Sequence, residues 1–115
     1  MDKMNIQAYA ERLWVTYKKV FPELKGDCPK IILSNRLTKT GGYNLSEENT
    51  VTLGNKFFAK NSDTMLNVVL PHELAHQIDY NLHGWTKGRK HHNSKWCGIM
   101  MTIGLSPDPY HTMEL

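Results

Sequence analysis

The sequence predicts an α+β fold in which an N-terminal helix leads into a small antiparallel sheet of about three strands and two further helices follow. Three observations carry that prediction. Apolar residues recur at three and four from Ile6 to Phe21, β-branched residues and turn formers fill the middle of the chain, and helical spacing returns after Gly54. With 115 residues the chain has the length of one domain, so residues 1–115 are expected to form a single unit around one modest core.

The first helix is read from Ile6, Tyr9, Ala10, Leu13, Trp14, Tyr17, Val20 and Phe21, which fall on one face, and Pro22 stops it. Ile31, Ile32 and Leu33 form a short strand, Gly41 and Gly42 mark a turn or bulge before Tyr43, and Thr50 to Leu53 form another strand. A second helix-forming stretch carries Met65, Leu66, Val69, Leu70, Leu74 and Ile78 as a buried stripe, with Ser62 or Asp63 as its N-cap. Pro71 either kinks this helix or occupies the first turn of a helix that begins there. The polar stretch from Asn81 to Asn93, with Gly84 and Gly88, reads as a loop long enough to carry function. A final helix presents Trp96, Ile99, Met100 and Ile103, capped by Asn93 or Ser94 and stopped at Gly104.

Composition narrows the class. A chain that is 40% hydrophobic and 22% charged is far from the signature of disorder. No apolar run has the length of a membrane span, and charges interrupt the first residues where a signal peptide would be continuously apolar, so an intracellular, cytoplasmic location is expected. The two cysteines, Cys28 and Cys97, are far apart and lack any CxxC partner; both are read as buried thiols. The net charge of +3 is mild but uneven, because Lys87, Arg89, Lys90 and Lys95 share a window free of acids. Such a window meets phosphate or is simply a solvated basic loop. No oligomerisation signature is readable, and a monomer is expected.

The segment His72-Glu73-Leu74-Ala75-His76 fits HExxH. On a helix, residues four apart lie one turn above each other, so two imidazoles can converge on one ion while the adjacent glutamate reaches a water on that ion. Leu74 and Ile78 point to the opposite side and lock the helix into the core. A catalytic zinc takes three protein groups, so a third ligand must come from downstream. The extended pattern HExxHxxGxxH fails, since Asp79 replaces its glycine and Leu82 its last histidine. His83, His91, His92 and His111 remain; His92 is favoured because it precedes the last helix and stands four residues before Trp96, and His91 is its close rival. Tyr80, Arg89, Tyr110 and His111 are candidate donors to a developing oxyanion.

At this point the chain resembles the SprT-like, or Spartan, metalloprotease family. The resemblance rests on Leu70-Pro71-His72-Glu73-Leu74-Ala75-His76, on His92-Asn93-Ser94-Lys95-Trp96 as a counterpart of a His-Gly-x-x-aromatic element, and on Arg36 to Gly42 followed by Val51-Thr52-Leu53. It implies a minimal zincin-like core, zinc held by His72, His76 and His92, Glu73 as catalytic base, and cleavage of a protein or peptide substrate. Family members act on proteins bound to or crosslinked with DNA, which would give the stretch from Lys87 to Lys95 a purpose in DNA-protein crosslink repair. His91 and Asn93 flank His92 where the family usually carries glycines, which leaves the third ligand open between His91 and His92. The chain carries no four-cysteine ribbon of the kind many members have. Two other readings compete: a DNA-associated binding module with a closed structural zinc site, and a metal-dependent hydrolase of small molecules. The glutamate beside the first histidine separates the first of these from an enzyme, because a structural site needs no base.

Overall fold

The computed structural model describes residues 5–84, 92–107 and 113. The expected α+β architecture is present, with helix α1 (Ile6–Val20), strands β1 (Lys30–Ser34), β2 (Gly42–Leu45) and β3 (Thr50–Gly54), then helices α2 (Phe58–Thr64), α3 (Leu70–His83) and α4 (Ser94–Thr102). None of the described helices is long and apolar enough to cross a membrane.

Helix α1 buries Ile6, Ala10, Trp14 and Tyr17 of the predicted stripe, whereas Val20, placed on the same face, is exposed where the last turn runs past the core. It is also tied down by polar bonds. The Trp14 indole N–H donates to the Gly26 carbonyl at 3.2 Å. Gln7 accepts from the Ile31 N–H at 2.7 Å and donates to the Pro29 carbonyl at 3.1 Å, so its amide occupies part of the outer edge of β1.

The three strands are ordered β1-β3-β2 and the sheet is mixed: β3 pairs antiparallel with β2 but parallel with β1. A fully antiparallel sheet was the expectation. The short turn of Ser46–Glu48 and Asn49 folds β3 back on β2, and β3 then inserts between its two predecessors, which leaves it running alongside β1. Asn49 takes the left-handed conformation at this turn (φ 54°), which asparagine tolerates better than most residues. Gly42 is required where β2 begins, since a Cβ there would lie 2.7 Å from the Thr52 carbonyl oxygen. Alternation puts Ile31, Val51, Leu53 and Asn44 on the face toward the helices, with Tyr43 and Leu45 of β2 exposed on the other.

Buried Phe57 and Phe58 open α2, but its path breaks at Asn61 (φ −132°, ψ 34°), so the continuous helix toward the HExxH segment begins at Ser62, beside the expected cap. Between α2 and α3 the chain makes one π-helical turn, Met65–Val69, in which the Leu70 N–H reaches the Met65 carbonyl. Pro71 then falls in the first turn of α3, where its missing N–H costs little. Helix α3 runs on to His83, so residues 81–83 are helical, not loop. The reason is a tether: Asn81 donates to the Lys25 carbonyl at 3.0 Å and accepts from Gln77 at 2.9 Å. Leu74 and Ile78 are fully buried on its core side. Helix α4 packs on α3 through Trp96, Ile99 and Met100. Its cap is the predicted one, with Asn93 Oδ1 accepting from the Trp96 N–H at 2.9 Å, and Gly104 ends the segment at φ +87°.

Candidate metal centre

Helix α3 turns about 100° per residue, which fixes what each side of it carries. His72 and His76 share one face. Leu70, Leu74 and Ile78 cover the core side, Gln77 and Asn81 meet the sheet side, and Glu73 lies at an angle between the histidines and Gln77. The opposition of Leu74 and Ile78 to the histidines is therefore realised, with both apolar side chains fully buried.

Three of the candidate ligands come together. His92 Nε2 lies 3.2 Å from His76 Nε2 and 3.3 Å from His72 Nε2, and all three donor atoms fall within 4.8 Å of one another. Two nitrogens each about 2.0–2.1 Å from one tetrahedral ion would stand about 3.3 Å apart, so the spacing suits a shared cation of zinc's size. The donor set agrees: three ring nitrogens converge on one point, each able to offer a lone pair. His72 is buried, His76 half-buried and His92 exposed, so the cluster opens on the His92 side.

Trp96 organises the rings. It is 0% exposed and its centroid lies 4.8 Å from His72, 5.1 Å from His76 and 4.6 Å from His92, stacked on His76 and edge-on to the other two. Its buried indole N–H has no hydrogen-bond acceptor among the described residues. An unmet donor of this kind costs about 1–3 kcal/mol, so the ring contacts are what recommend a large aromatic here.

Glu73 completes the centre. Its Oε2 lies 3.8 Å from His72 Nε2, and the residue is only 8% exposed. Burial pushes its carboxyl up to about 8 from an ordinary 4.5. A cation held by the neighbouring imidazoles would pull it back down, toward the range in which a carboxylate exchanges protons near neutrality. Without metal the raised group binds its proton more tightly in the folded chain than in the unfolded one. Its stabilising contribution is then complete below about pH 4.3 and is lost as the pH rises through about 8. Metal-free wild type should therefore melt progressively below metal-free Glu73→Gln across that window, and the two should converge at its acid end. Parallel melting curves would show that this carboxyl is not the group responsible.

Among the described residues, His83 and Tyr80 stand outside the three-histidine cluster. His83 stands in the last turn of α3, not in a loop, and its Nδ1 lies 2.7 Å from Oδ1 of buried Asp79. Tyr80 is half-buried on α3. His91, His111, Tyr110 and Arg89 lie outside the described residues, as do Lys87 and Lys90; Lys95 is exposed on α4. The cysteines are free and half-buried, and burial pushes the Cys28 thiol up to about 12. Sequence reasoning missed the Asp79–His83 pair, although its spacing of four on a helix was available. It also missed Gln77, whose signal was an amide set against the buried stripe.

A small α+β core that gathers three histidines against a helix, with a buried glutamate beside the first, forms a cluster of the HExxH class that could hold a metal ion. The chain belongs to the SprT-like family, whose model matches residues 10–113. It is 30% identical over 100 residues to Protein SprT of Vibrio parahaemolyticus, covering 86% of this chain and 55% of that protein. It is 32% identical over 89 residues to Protein SprT of Vibrio atlanticus, covering 76% of this chain and 51% of that one. The chain thus spans about half the length of these curated relatives. No solved structure matches it.

Proposed function

We propose that the chain is a zinc-dependent endopeptidase acting on protein substrates, with His72, His76 and His92 as ligands and Glu73 as the base. The observation that carries this reading is the convergence of three imidazole nitrogens beside a buried carboxylate 3.8 Å from one of them. Zinc, when bound, supplies Lewis acidity that polarises a scissile carbonyl and lowers the pKa of water to about 7. Glu73 would take a proton from the water whose oxygen bonds to the scissile carbonyl carbon, and would return it to the amine nitrogen as the C–N bond breaks. Trp96 holds the three rings in place while this happens, and the buried side of the cluster excludes bulk water behind the reacting atoms.

The sheet favours a peptide over a small molecule. No described strand pairs with the outer edge of β2, whereas Gln7 occupies part of the opposite edge. An extended substrate adding to β2 would run beside Glu73, since this glutamate lies on the helix surface between the histidines and the sheet. The resemblance described above implies DNA-associated proteins as the substrate class, and the basic stretch from Lys87 to Lys95 is the segment proposed to meet DNA.

The test is cleavage of an unstructured protein by the zinc-loaded chain, with and without single-stranded DNA, over a salt series. Cleavage is expected, with acceleration by DNA that fades as salt rises. Stoichiometric zinc with no cleavage under any condition, together with salt-sensitive DNA affinity, would transfer the site to a binding module.

A further inference from the structure

A buried polar network that the proposed chemistry does not use ties α3 to β2. Gln77 directly follows His76 but points about 100° away from it, toward the sheet, and is 1% exposed. Its Oε1 accepts from Asn44 Nδ2 at 2.8 Å, and its Nε2 donates to the Ser46 carbonyl at 3.0 Å and to Asn81 Oδ1 at 2.9 Å. Asn44, in the middle of β2, donates also to the Thr50 carbonyl at 2.9 Å and accepts from the Ser46 hydroxyl at 2.6 Å. Every donor of the two amides is used.

Apolar side chains would hold a helix to a sheet at least as well, but without fixing where along its length the strand sits. Directional bonds do fix it. The strand in question needs such a constraint, because β2 has four residues and is supported laterally by β3 alone among the described strands. Asn44 locks β2 twice, once in register against β3 and once in height over α3. Glu73 lies on the helix surface between the histidines and Gln77, so any slide of β2 along α3 changes the gap beside that carboxylate.

We infer that Asn44 and Gln77 are a positioning pair that holds β2 against the metal helix and thereby sets the gap in which an extended peptide lies. This rests on the peptidase reading above. Neither residue touches the reacting atoms, and neither is a ligand.

The test uses the full zinc-loaded chain with Gln77→Met and, separately, Asn44→Ala. The second removes the half-buried end of the pair and serves where the first does not fold. Both variants should keep one zinc per chain. KM for an unstructured protein should rise about tenfold, the equivalent of one or two weakened backbone hydrogen bonds, while kcat stays within about a factor of two. Amide exchange at Tyr43 to Leu45 should quicken while exchange in β1 is unchanged. Wild-type KM in both variants would overturn the inference and leave an ordinary packing network. Loss of zinc ahead of any change in KM would overturn it differently, by making the network a support of the metal. If wild type cleaves nothing, the peptidase reading fails on its own account, and unchanged exchange in β2 would still refute the pair's hold on the strand.

Discussion

Replacing Glu73 by glutamine is expected to leave zinc in place and to remove turnover. The three ligand nitrogens belong to other side chains, and the amide has the carboxylate's shape, so metal content should stay near one per chain. Folding should survive as well, because the pocket already disfavours a charge at this position, as the carboxyl's displacement to about 8 shows. What glutamine cannot do is accept a proton from water and return it to the amine. General acid–base groups contribute about 10²–10⁴ in rate, so kcat should fall by at least about a hundredfold with KM little changed. Metal analysis and cleavage rates on one preparation of each protein decide the matter. A variant that cleaves within tenfold of wild type would end the case for Glu73 as base.

The second large effect concerns the third ligand. His92→Ala should lose tight zinc binding together with activity, as His76→Ala should, whereas His91→Ala should retain both. Structural zinc sites bind with about 10–16 kcal/mol, so one ligand among three or four accounts for about 3 kcal/mol, or at least a hundredfold in affinity. Competition against a chromogenic chelator measures this directly. The reverse pattern, zinc lost with His91 and kept without His92, would move the third ligand by one residue and require the turn ahead of α4 to present a different side chain.

Much of this site was legible before any coordinates. The pair His72 and His76 follows from helical spacing alone, and the final helix announced itself through Asn93, Trp96 and Gly104, each of which does what its type predicts. His92 was favoured for its position ahead of Trp96, and that tryptophan does pack against its ring, at 4.6 Å. Strand order was not legible, because periodicity reports which face a residue takes and says nothing of which neighbour a strand chooses. The start of the long helical path was legible to within a residue, since the chain breaks at Asn61 just ahead of Ser62; the short helical piece before it, built on buried Phe57 and Phe58, was not. The Asn44–Gln77 bond joins residues far apart in sequence, and no spacing rule reaches across that distance.

The π-helical turn at Met65–Val69 has a consequence for how this helix tolerates change in length. A π turn holds one residue more than an α turn, so it offsets the rotational phase of everything after it by about 100° relative to what precedes it. One residue more than a regular α-helix would hold is thus already absorbed here, and His72, Glu73 and His76 keep the phase that the core sets. Deleting a single residue between Met65 and Val69 would turn the π turn into an α turn and leave that phase intact, whereas adding one would rotate the histidines about 100° out of place. Insertions should accordingly be purged from this segment where a single deletion is accepted, a pattern of constraint set by length and not by side-chain identity.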